Sequence, residues 1–139
     1  QQLMVIRRFT EDLNIPVEII GAKILREDDG LAMSSRNRYL TPDERAIAPT
    51  LNNVLAEITA KAAQGAELGP LLAKGREDIL TAGFDPIDYL EVRDAATLEL
   101  ISDTVQKPAR IFVAARLGKA RLIDNHAIEP AIAKSITGG

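Results

Sequence analysis

An apolar stripe at helical spacing runs through the first fourteen residues. The apolar positions recur at intervals of three and four residues, at Leu3, Ile6, Phe9 (or Thr10) and Leu13. This spacing predicts an amphipathic helix over residues 1–14. Asn14 favours an end to the helix, and Pro16 lacks the N–H that a continuing helix would need. Because the sequence enters this helix at Gln1 with no initiator methionine and no polar tail, we expect a fragment of a longer chain.

The next segment, residues 17–25, is a short apolar run. Its sequence, VEIIGAKIL, is rich in β-branched residues and is interrupted by Gly21. Such a run favours a strand that is buried on both faces, as in a parallel sheet. A helix followed directly by this kind of strand is typical of an open α/β domain. We therefore expect residues 1–25 to be the terminal helix–strand unit of an incomplete open α/β (Rossmann-like) domain.

A polar loop separates this unit from the rest of the chain. Residues 26–40 are dense in charged residues, Ser, Asn and Gly. A helix start follows, because Thr41 can cap, Pro42 suits the first helical position and Glu44 completes a capping box with Thr41. The apolar face of this helix is expected at Ile47, Leu51, Val54, Leu55, Ile58 and Ala62. Pro49 lies inside the helix and is predicted to kink it or to split off its first turn.

The remainder of the chain combines a second helix with antiparallel strands. The predicted elements are a helix from Gly69-Pro70 to Gly83, a half-buried strand over 87–93, a hairpin of residues 110–117 and 120–128 around Gly118-Lys119, and a helical turn at 129–136. The fold class expected for the chain is α+β. Residues 41–139 form a small C-terminal domain with two main helices and a roughly three-stranded antiparallel sheet. Residues 1–40 are the remnant of the α/β domain with its loop.

Composition narrows the function classes. The chain of 139 residues is 46% hydrophobic and 27% charged, which is typical of a globular protein and too charged for a membrane span. Its net charge is −3, and no basic block suggests a nucleic-acid partner. It has no cysteine, which excludes disulfides, thiolate metal sites and cysteine nucleophiles. We expect a soluble, cytoplasmic protein with no membrane or nucleic-acid partner.

The densest group of functional side chains lies between residues 26 and 38. This loop holds three arginines and the tandem Ser34-Ser35. Guanidinium forks match phosphate oxygens, and serine hydroxyls and backbone N–H groups can bind the same anion. A loop that follows a parallel strand is also where open α/β sheets bind ligands. The alternative interpretation is a solvated linker in which neighbours pair locally, among Arg26, Asp28, Asp29 and Arg36.

Three segments carry a resemblance to a known family. The sequences REDDGLAMSSRNRYLTPDERA, DYLEVRD and FVAARLGKARLIDN closely resemble the second half of the pantothenate synthetase (pantoate–β-alanine ligase) family. The likeness extends over nearly the whole chain, from the QQL start to the LIDN segment. In that family MSSR occupies the place of the KMSKS-type loop of adenylate-forming enzymes. The string GLAMSSRN is specific, and its agreement with both downstream segments makes chance likeness improbable.

The resemblance implies an ATP-dependent ligase reaction with Mg²⁺. Pantoate would attack the α-phosphate of ATP to give pantoyl adenylate and pyrophosphate, and β-alanine would then displace AMP to form pantothenate. Transferred to this sequence, the resemblance makes Ser34 and Arg36 catalytic, since they would stabilise the triphosphate and the leaving pyrophosphate. The implied ATP-binding residues are Leu25 (through its backbone), Met33, Ser34, Ser35 and Arg36. Gln2 would bind pantoate.

The resemblance also implies what this sequence lacks. The family's histidine-containing phosphate motif and a lysine just before the QQL segment belong to its first half, and neither is present here. We therefore expect the isolated chain to be inactive. In the full enzyme its C-terminal domain would act as a mobile lid over ATP. The missing N-terminal domain is the expected partner, and a homodimer is possible.

Two rival functions stay open at this point. Residues 41–139 could be a non-catalytic interaction or dimerisation module, although such a module has no need of Ser34, Ser35 and Arg36 in tandem. The chain could also be the lid of a related adenylate-forming nucleotidyltransferase that acts on another acid. Only the QQL segment and the downstream strands favour pantoate, and that preference rests on the resemblance.

The remaining polar clusters have structural interpretations. Asp124-Asn125-His126 lies on a predicted strand, where consecutive side chains alternate between faces and cannot converge on one ion. His126, the only histidine, is expected to have a surface or hydrogen-bonded structural role. Asp28-Asp29 is interpreted as a turn pair that caps or is solvated, and Glu91 is expected to pair with Arg93 or with a neighbour. No metal site is predicted in this chain.

Overall fold

The computed structural model describes residues 1–131, which form an α+β fold. The helices are α1 (Gln2–Asp12), α2 (Pro42–Ile47), α3 (Thr50–Ala63) and α4 (Leu68–Ala82), with a 3₁₀ helix at Ser35–Tyr39, and the strands are β1 (Ile87–Asp94), β2 (Leu100–Ile101), β3 (Ala109–Leu117) and β4 (Ala120–Ile128). Within these residues no helix has the length and apolar character needed to cross a membrane. The predicted helical turn at 129–136 lies mostly outside the described residues.

The four strands form one antiparallel sheet in the order β2-β1-β3-β4. The predicted hairpin is confirmed, because β3 and β4 pair from Ala109 opposite Ile128 to Leu117 opposite Ala120. The predicted strand over 87–93 is also confirmed as β1. The sheet has one strand more than the three expected, since β2 pairs only two residues with β1. A two-residue strand is too short to leave a readable alternation in the sequence.

Helices α2 and α3 follow their sequence signals closely. Thr41 Oγ accepts from the Glu44 N–H at 3.2 Å, and the Glu44 carboxylate accepts from the Thr41 N–H at 2.9 Å, which confirms the capping box. Pro49 separates α2 from α3, as its missing N–H predicts. The apolar face of α3 is buried at Leu51, Val54, Leu55, Ile58 and Ala62. These side chains form the core between α3, α4 and one face of the sheet.

Helix α4 packs closely against α3 and β1. It begins one residue before Gly69-Pro70 and ends at Ala82, and Gly83 caps it with a φ of 115°, the left-handed conformation expected of a helix-ending glycine. Gly75 is buried at the contact with α3, and a Cβ there would lie 2.7 Å from Ile58 Cδ1 and 3.2 Å from Leu90 Cδ2. The missing side chain of Gly75 therefore lets α4 approach its neighbours.

The amino-terminal segment departs from its prediction. Helix α1 forms as expected, but the strand predicted over 17–25 is wrong: residues 15–25 lie in no strand and pair with no sheet. A parallel strand exists only through hydrogen bonds to its neighbours, and this segment has none among the described residues. Its apolar side chains are consequently exposed, for instance Val17 (57%) and Ile20 (79%).

Candidate functional site

A large cleft of about 1010 Å³ lies between the amino-terminal segment, the loop before α2 and the sheet. Four of the residues implied for the site line it together: Gln2, Met33, Ser34 and Arg36. Leu25 and Ser35 are not part of its lining, and Leu25 is 72% exposed. The structure thus brings one end of α1 and the MSSR loop to the same cavity, although they are about thirty residues apart in the chain.

The loop presents Ser34 and Arg36 to solvent in a defined backbone geometry. Ser34 caps the 3₁₀ helix, since its Oγ accepts from the Arg36 N–H at 3.2 Å. Ser34, Ser35 and Arg36 are all exposed, and within residues 1–131 the Arg36 guanidinium has no hydrogen-bond or ion-pair partner. A guanidinium without a protein partner keeps all its donors for an incoming anion.

Leu25 and Met33 are joined across the base of the loop. The Met33 N–H donates to the Leu25 carbonyl at 2.9 Å. Met33 is 52% exposed and lines the cleft beside Ser34. An exposed, flexible thioether at this place can cover the flat face of a planar ligand group.

An ion pair fixes the start of the loop to the sheet. Arg26 donates through Nη1 and Nη2 to the two carboxylate oxygens of Asp124 on β4, at 2.7 and 2.8 Å. Asp124 is buried, and its hydrogen bonds to Arg26 raise the pKa of that guanidinium above its ordinary value. The interpretation in which Arg26 pairs locally with Asp28 or Asp29 is therefore wrong, since its partner lies 98 residues away.

The tip of the loop is held at two further points. Asp29 accepts from the Arg45 guanidinium and from the Leu31 N–H, so it caps a turn as expected of the Asp28-Asp29 pair. Gly30, at φ 90°, lies against Asn52 of α3, where a Cβ would come 2.5 Å from Asn52 Nδ2. Leu31 enters the core. The residues between Arg26 and Ala32 are thus attached to α2, α3 and β4.

Three consecutive residues of β4 bind three different partners. Asp124 binds Arg26, Asn125 accepts from Arg110 at 2.6 Å, and His126 Nε2 lies 2.9 Å from Asn52 Oδ1. His126 is hydrogen-bonded and half-buried, as its structural interpretation requires, yet it also lines the cleft. Burial lowers the pKa of His126 below its ordinary value. Glu91 and Arg93 pair as expected, at 2.7 Å.

The cleft is electropositive although the chain is acidic. Within the described part of the chain its lining holds one acidic residue, Asp124, and six basic residues: Arg7, Lys23, Arg26, Arg36, Arg110 and Arg121. Asp124 neutralises Arg26, and Arg121 pairs with Asp88 outside the lining. Arg7, Lys23, Arg36 and Arg110 are left to raise the potential inside a cavity of a chain with net charge −3. Such a cleft concentrates anions. Together with the exposed Ser34 hydroxyl, it can bind an anion by charge and by hydrogen bonds at once.

Several residues of the cleft are not evident from the sequence. Asp124 and Arg110 reach it only because β3 and β4 pair, and nothing local marks either as a neighbour of the loop. Asn37 is different, since it directly follows the MSSR string: its Nδ2 donates to the Ala32 carbonyl at 3.0 Å. A polar side chain at the end of a functional loop is a signal that could have been used.

The described residues form an α+β unit whose cleft is lined by basic side chains and by an exposed loop that carries Ser34 and Arg36. A family model described as pantoate–β-alanine ligase matches residues 1–127. The chain therefore belongs to the pantoate–β-alanine ligase family. The chain is 55% identical over 130 residues to the pantothenate synthetase of Paramagnetospirillum magneticum, and 53% identical over 131 residues to that of Rhizorhabdus wittichii.

Solved structures agree with this family and with the extent of the match. The pantothenate synthetase of Thermus thermophilus superposes with a TM-score of 0.84 at 43% identity, over 93% of this chain and 46% of that one. A Francisella tularensis pantoate–β-alanine ligase complexed with β-γ ATP and β-alanine gives a TM-score of 0.63 at 28% identity, over 90% of this chain and 39% of that one. The first two relatives are matched over 94% of this chain but only 45% and 46% of their own length. The chain thus spans a little under half of these proteins.

Proposed function

We propose that this chain is the carboxyl-terminal part of an ATP-dependent ligase that joins pantoate to β-alanine. Pantoate carboxylate attacks the α-phosphorus of ATP, the bond to the bridging oxygen breaks, and pyrophosphate leaves. The β-alanine amine then attacks the acyl carbon of pantoyl adenylate, an amide forms, and AMP leaves. The observation that carries this proposal is the unpartnered Arg36 guanidinium beside Ser34 in an electropositive cleft, on a chain of this family.

The loop supplies phosphate recognition in this proposal. Ser34 and Arg36 bind the triphosphate and stabilise the charge that develops on the leaving pyrophosphate. Met33 and the backbone of Leu25, joined by one hydrogen bond, flank the adenine, and Ser35 completes the loop. Support comes from the exposure of these groups and from the cleft that Met33, Ser34 and Arg36 share. The ligands of the Francisella tularensis relative, β-γ ATP and β-alanine, are of the same chemical classes.

Gln2 is proposed to bind pantoate. It lies in the first turn of α1 and lines the cleft together with Arg36. Its amide can donate to a carboxylate and accept from a hydroxyl, and pantoate carries both groups. The side chain thus sits on the wall of the cavity that also holds the phosphate-binding loop.

The described residues offer no cluster of side chains that could bind Mg²⁺. Among residues 1–131 no three His, Cys, Asp or Glu side chains lie close enough together to hold a metal ion. The acidic residue of the cleft, Asp124, is already bound to Arg26. We therefore assign Mg²⁺ to none of these residues and derive no step of the reaction through it.

The domain after the loop is proposed to act as a lid against an amino-terminal domain. Residues 3–25 expose apolar side chains that a further domain would cover, among them Val5, Phe9, Val17 and Ile20. The relatives are about twice as long as this chain, which leaves room for that domain. Closure of the lid would place Ser34 and Arg36 on the phosphates and exclude water from the adenylate.

The proposal is tested by titrating the isotope-labelled chain with Mg·ATP and following its amide resonances by NMR. We expect shifts concentrated at Leu25 and at Met33 to Arg36. They should weaken at least fivefold in Arg36→Ala, since this removes the unpartnered guanidinium. Arg8→Ala is the matched control, because Arg8 is exposed on α1, pairs with Asp12 and lies outside the cleft.

The same titration separates the rival functions. Loss of binding in Arg36→Ala with full binding in Arg8→Ala supports a nucleotide-binding loop. Equal binding by both variants, or no shift at millimolar nucleotide, counts against it and favours a non-catalytic interaction module. Adding pantoate then separates this ligase from an adenylate-forming enzyme with another substrate, since only the former responds at Gln2.

A further inference from the structure

The loop that carries Ser34 and Arg36 is tied to the sheet through one buried carboxylate. The side chain of Asp124 is 4% exposed, and each of its oxygens accepts from a different nitrogen of the Arg26 guanidinium. The Asn125 N–H also donates to Asp124 Oδ1, at 2.7 Å. This third hydrogen bond restricts rotation of the carboxylate, so Asp124 offers Arg26 a fixed bidentate acceptor.

Arg26 passes this constraint to the loop. Its backbone forms an antiparallel bridge with Ala32, and its Nη1 also donates to the Gly30 carbonyl at 3.0 Å. Ala32 in turn accepts from Asn37 Nδ2 at 3.0 Å. The backbone hydrogen bonds that flank this bridge, from Glu27 N–H to Leu31 O and from Met33 N–H to Leu25 O, hold Ala32 beside Arg26. Ala32 in turn holds Asn37, so the residues directly before and after the Met33–Arg36 segment are both fixed.

We propose that Asp124 is a positioning residue for the nucleotide-binding loop: through Arg26 it fixes residues 33–36 to strand β4, so that Ser34 and Arg36 keep one geometry relative to the domain. The assignment rests on the proposed function for its consequence, which is tighter ATP binding. Its structural part, the ordering of the loop, stands independently of that function.

The energetics of the Arg26–Asp124 pair favour a positioning role. Burying a carboxylate and a guanidinium forfeits their hydration, so such a pair contributes little net stability compared with apolar side chains of similar volume. What apolar side chains cannot supply is the orientation that a two-point fork imposes. The pair is therefore better suited to fixing a geometry than to holding the fold together.

A second ion pair of the same loop provides a matched control. Arg45 binds Asp29 through both of its terminal nitrogens, but this pair is exposed and lies at the tip of the loop. Arg45→Lys removes one guanidinium fork from the loop, as Arg26→Lys does, and keeps the charge. A difference in loop exchange between Arg26→Lys and Arg45→Lys therefore reports on the buried Arg26–Asp124 pair and not on the loss of any salt bridge of the loop.

The test is amide hydrogen exchange of the 139-residue chain without ligand. The amides of Met33, Arg36 and Asn37 are informative because each donates within the loop region, to Leu25 O, Ser34 Oγ and Ser34 O. We expect exchange at these amides to accelerate at least tenfold in Arg26→Lys and in Asp124→Asn. It should change less than threefold in Arg45→Lys, while the amides of α3 keep their wild-type rates in all three.

Two results would overturn the assignment. One is equal exchange rates at residues 33–37 in Arg26→Lys and Arg45→Lys. The other is acceleration spread evenly over α3 and the sheet, which marks a purely structural pair. If the single variants do not fold, the double variant R26M/D124L fills the space with apolar side chains. Fast loop exchange with a wild-type melting temperature supports the assignment in that variant, and wild-type loop exchange overturns it.

ATP titration of the same variants tests whether the Arg26–Asp124 pair affects nucleotide binding. We expect Arg26→Lys to weaken nucleotide binding at least fivefold and Arg45→Lys to leave it within twofold. Wild-type binding by a variant whose loop exchanges rapidly overturns the functional consequence. If the wild-type chain binds no ATP, the proposed function fails, but the exchange experiment still decides whether Asp124 orders the loop.

Discussion

At the scale of single residues, His126 shows how a polar group is accommodated beside the cleft. Its ring is half-buried, and its Nε2 lies 2.9 Å from Asn52 Oδ1, while Asn52 Nδ2 lies against Gly30. Removal from water lowers the pKa of His126; Asp124 opposes this shift, and Arg26 and Arg110 add to it. The neutral ring is therefore the form that the folded state favours.

This pKa shift predicts a pH dependence of stability. A histidine with a lowered pKa in the folded state binds fewer protons there than in the unfolded chain, so the free energy of unfolding falls as pH drops below about 6.5. The slope cannot exceed about 1.4 kcal/mol per pH unit for one group. We expect the loss between pH 7.5 and 5.5 to be smaller in His126→Gln, as measured by urea unfolding at several pH values.

His126 is the only histidine of the sequence, which makes this variant a clean comparison. Other groups that titrate in this range are common to both proteins and cancel in the difference. Parallel pH profiles for His126→Gln and the wild-type chain would show that burial of the ring does not bias its protonation.

At the scale of elements, the sequence predicts a helix end or a turn correctly where the contacts that form it join residues close together in the chain. The capping box at Thr41, the break at Pro49 and the turn at Gly118-Lys119 each involve residues within a few positions of one another, and all three form as expected. The strand at 17–25 depends on partner strands, and the Arg26–Asp124 pair joins residues 98 positions apart. Neither outcome is encoded in a short window of sequence.

The contact between α3 and α4 is another feature that spacing alone does not reveal. Gly75 is an ordinary glycine in the sequence pattern, yet the structure places it against Ile58, Val54 and Leu90. A helix-interior glycine costs about 1 kcal/mol relative to alanine, so its presence here is explained by the close approach of the helices.

We expect Gly75→Ala to destabilise the chain. The added Cβ would lie 2.7 Å from Ile58 Cδ1 and 3.1 Å from Val54 Cγ1, and overpacking of this kind costs about 1–3 kcal/mol, more than the gain in helix propensity. The expected net loss is about 1 kcal/mol, or about 3 °C in melting temperature. Calorimetry or thermal unfolding followed by circular dichroism measures it.

Gly69→Ala is the control in the same helix. Gly69 has no neighbour within 4 Å of its added Cβ among the described residues, so this variant should be neutral or up to about 1 kcal/mol more stable. If Gly75→Ala proves as stable as Gly69→Ala, the packing of α4 against α3 is looser than the structure implies.

At the scale of the whole molecule, the cleft is assembled from distant parts of the chain. Gln2 comes from α1, Ser34 and Arg36 from the loop, and Arg110 and Asp124 from the sheet. Motif resemblance identified the first three of these, because they lie in short characteristic strings. Arg110 and Asp124 could be assigned to the cleft only once the pairing of β3 with β4 was known. The positive potential of the cleft likewise could not be read from a net charge of −3.

The most direct test of the proposed ligase function adds the length by which the relatives exceed this chain. The chain is fused at Gln1 to the amino-terminal part of the Paramagnetospirillum magneticum relative, with which it shares 55% identity over 130 residues. The measurement is pantoate-dependent exchange of pyrophosphate into ATP. Purified chimeras carrying Arg36→Ala, and Arg8→Ala as control, are compared with the unmodified chimera and with the 139-residue chain alone.

We predict pantoate-dependent exchange by the chimera and by Arg8→Ala. Arg36→Ala should be slower by a factor of about 100 or more, as when one charge-stabilising donor is removed from an active site. The isolated chain should give no exchange above the blank. Exchange that needs no pantoate, or that is unchanged by Arg36→Ala in a folded chimera, would contradict the assignment of this chain as the loop-bearing part of a pantoate–β-alanine ligase.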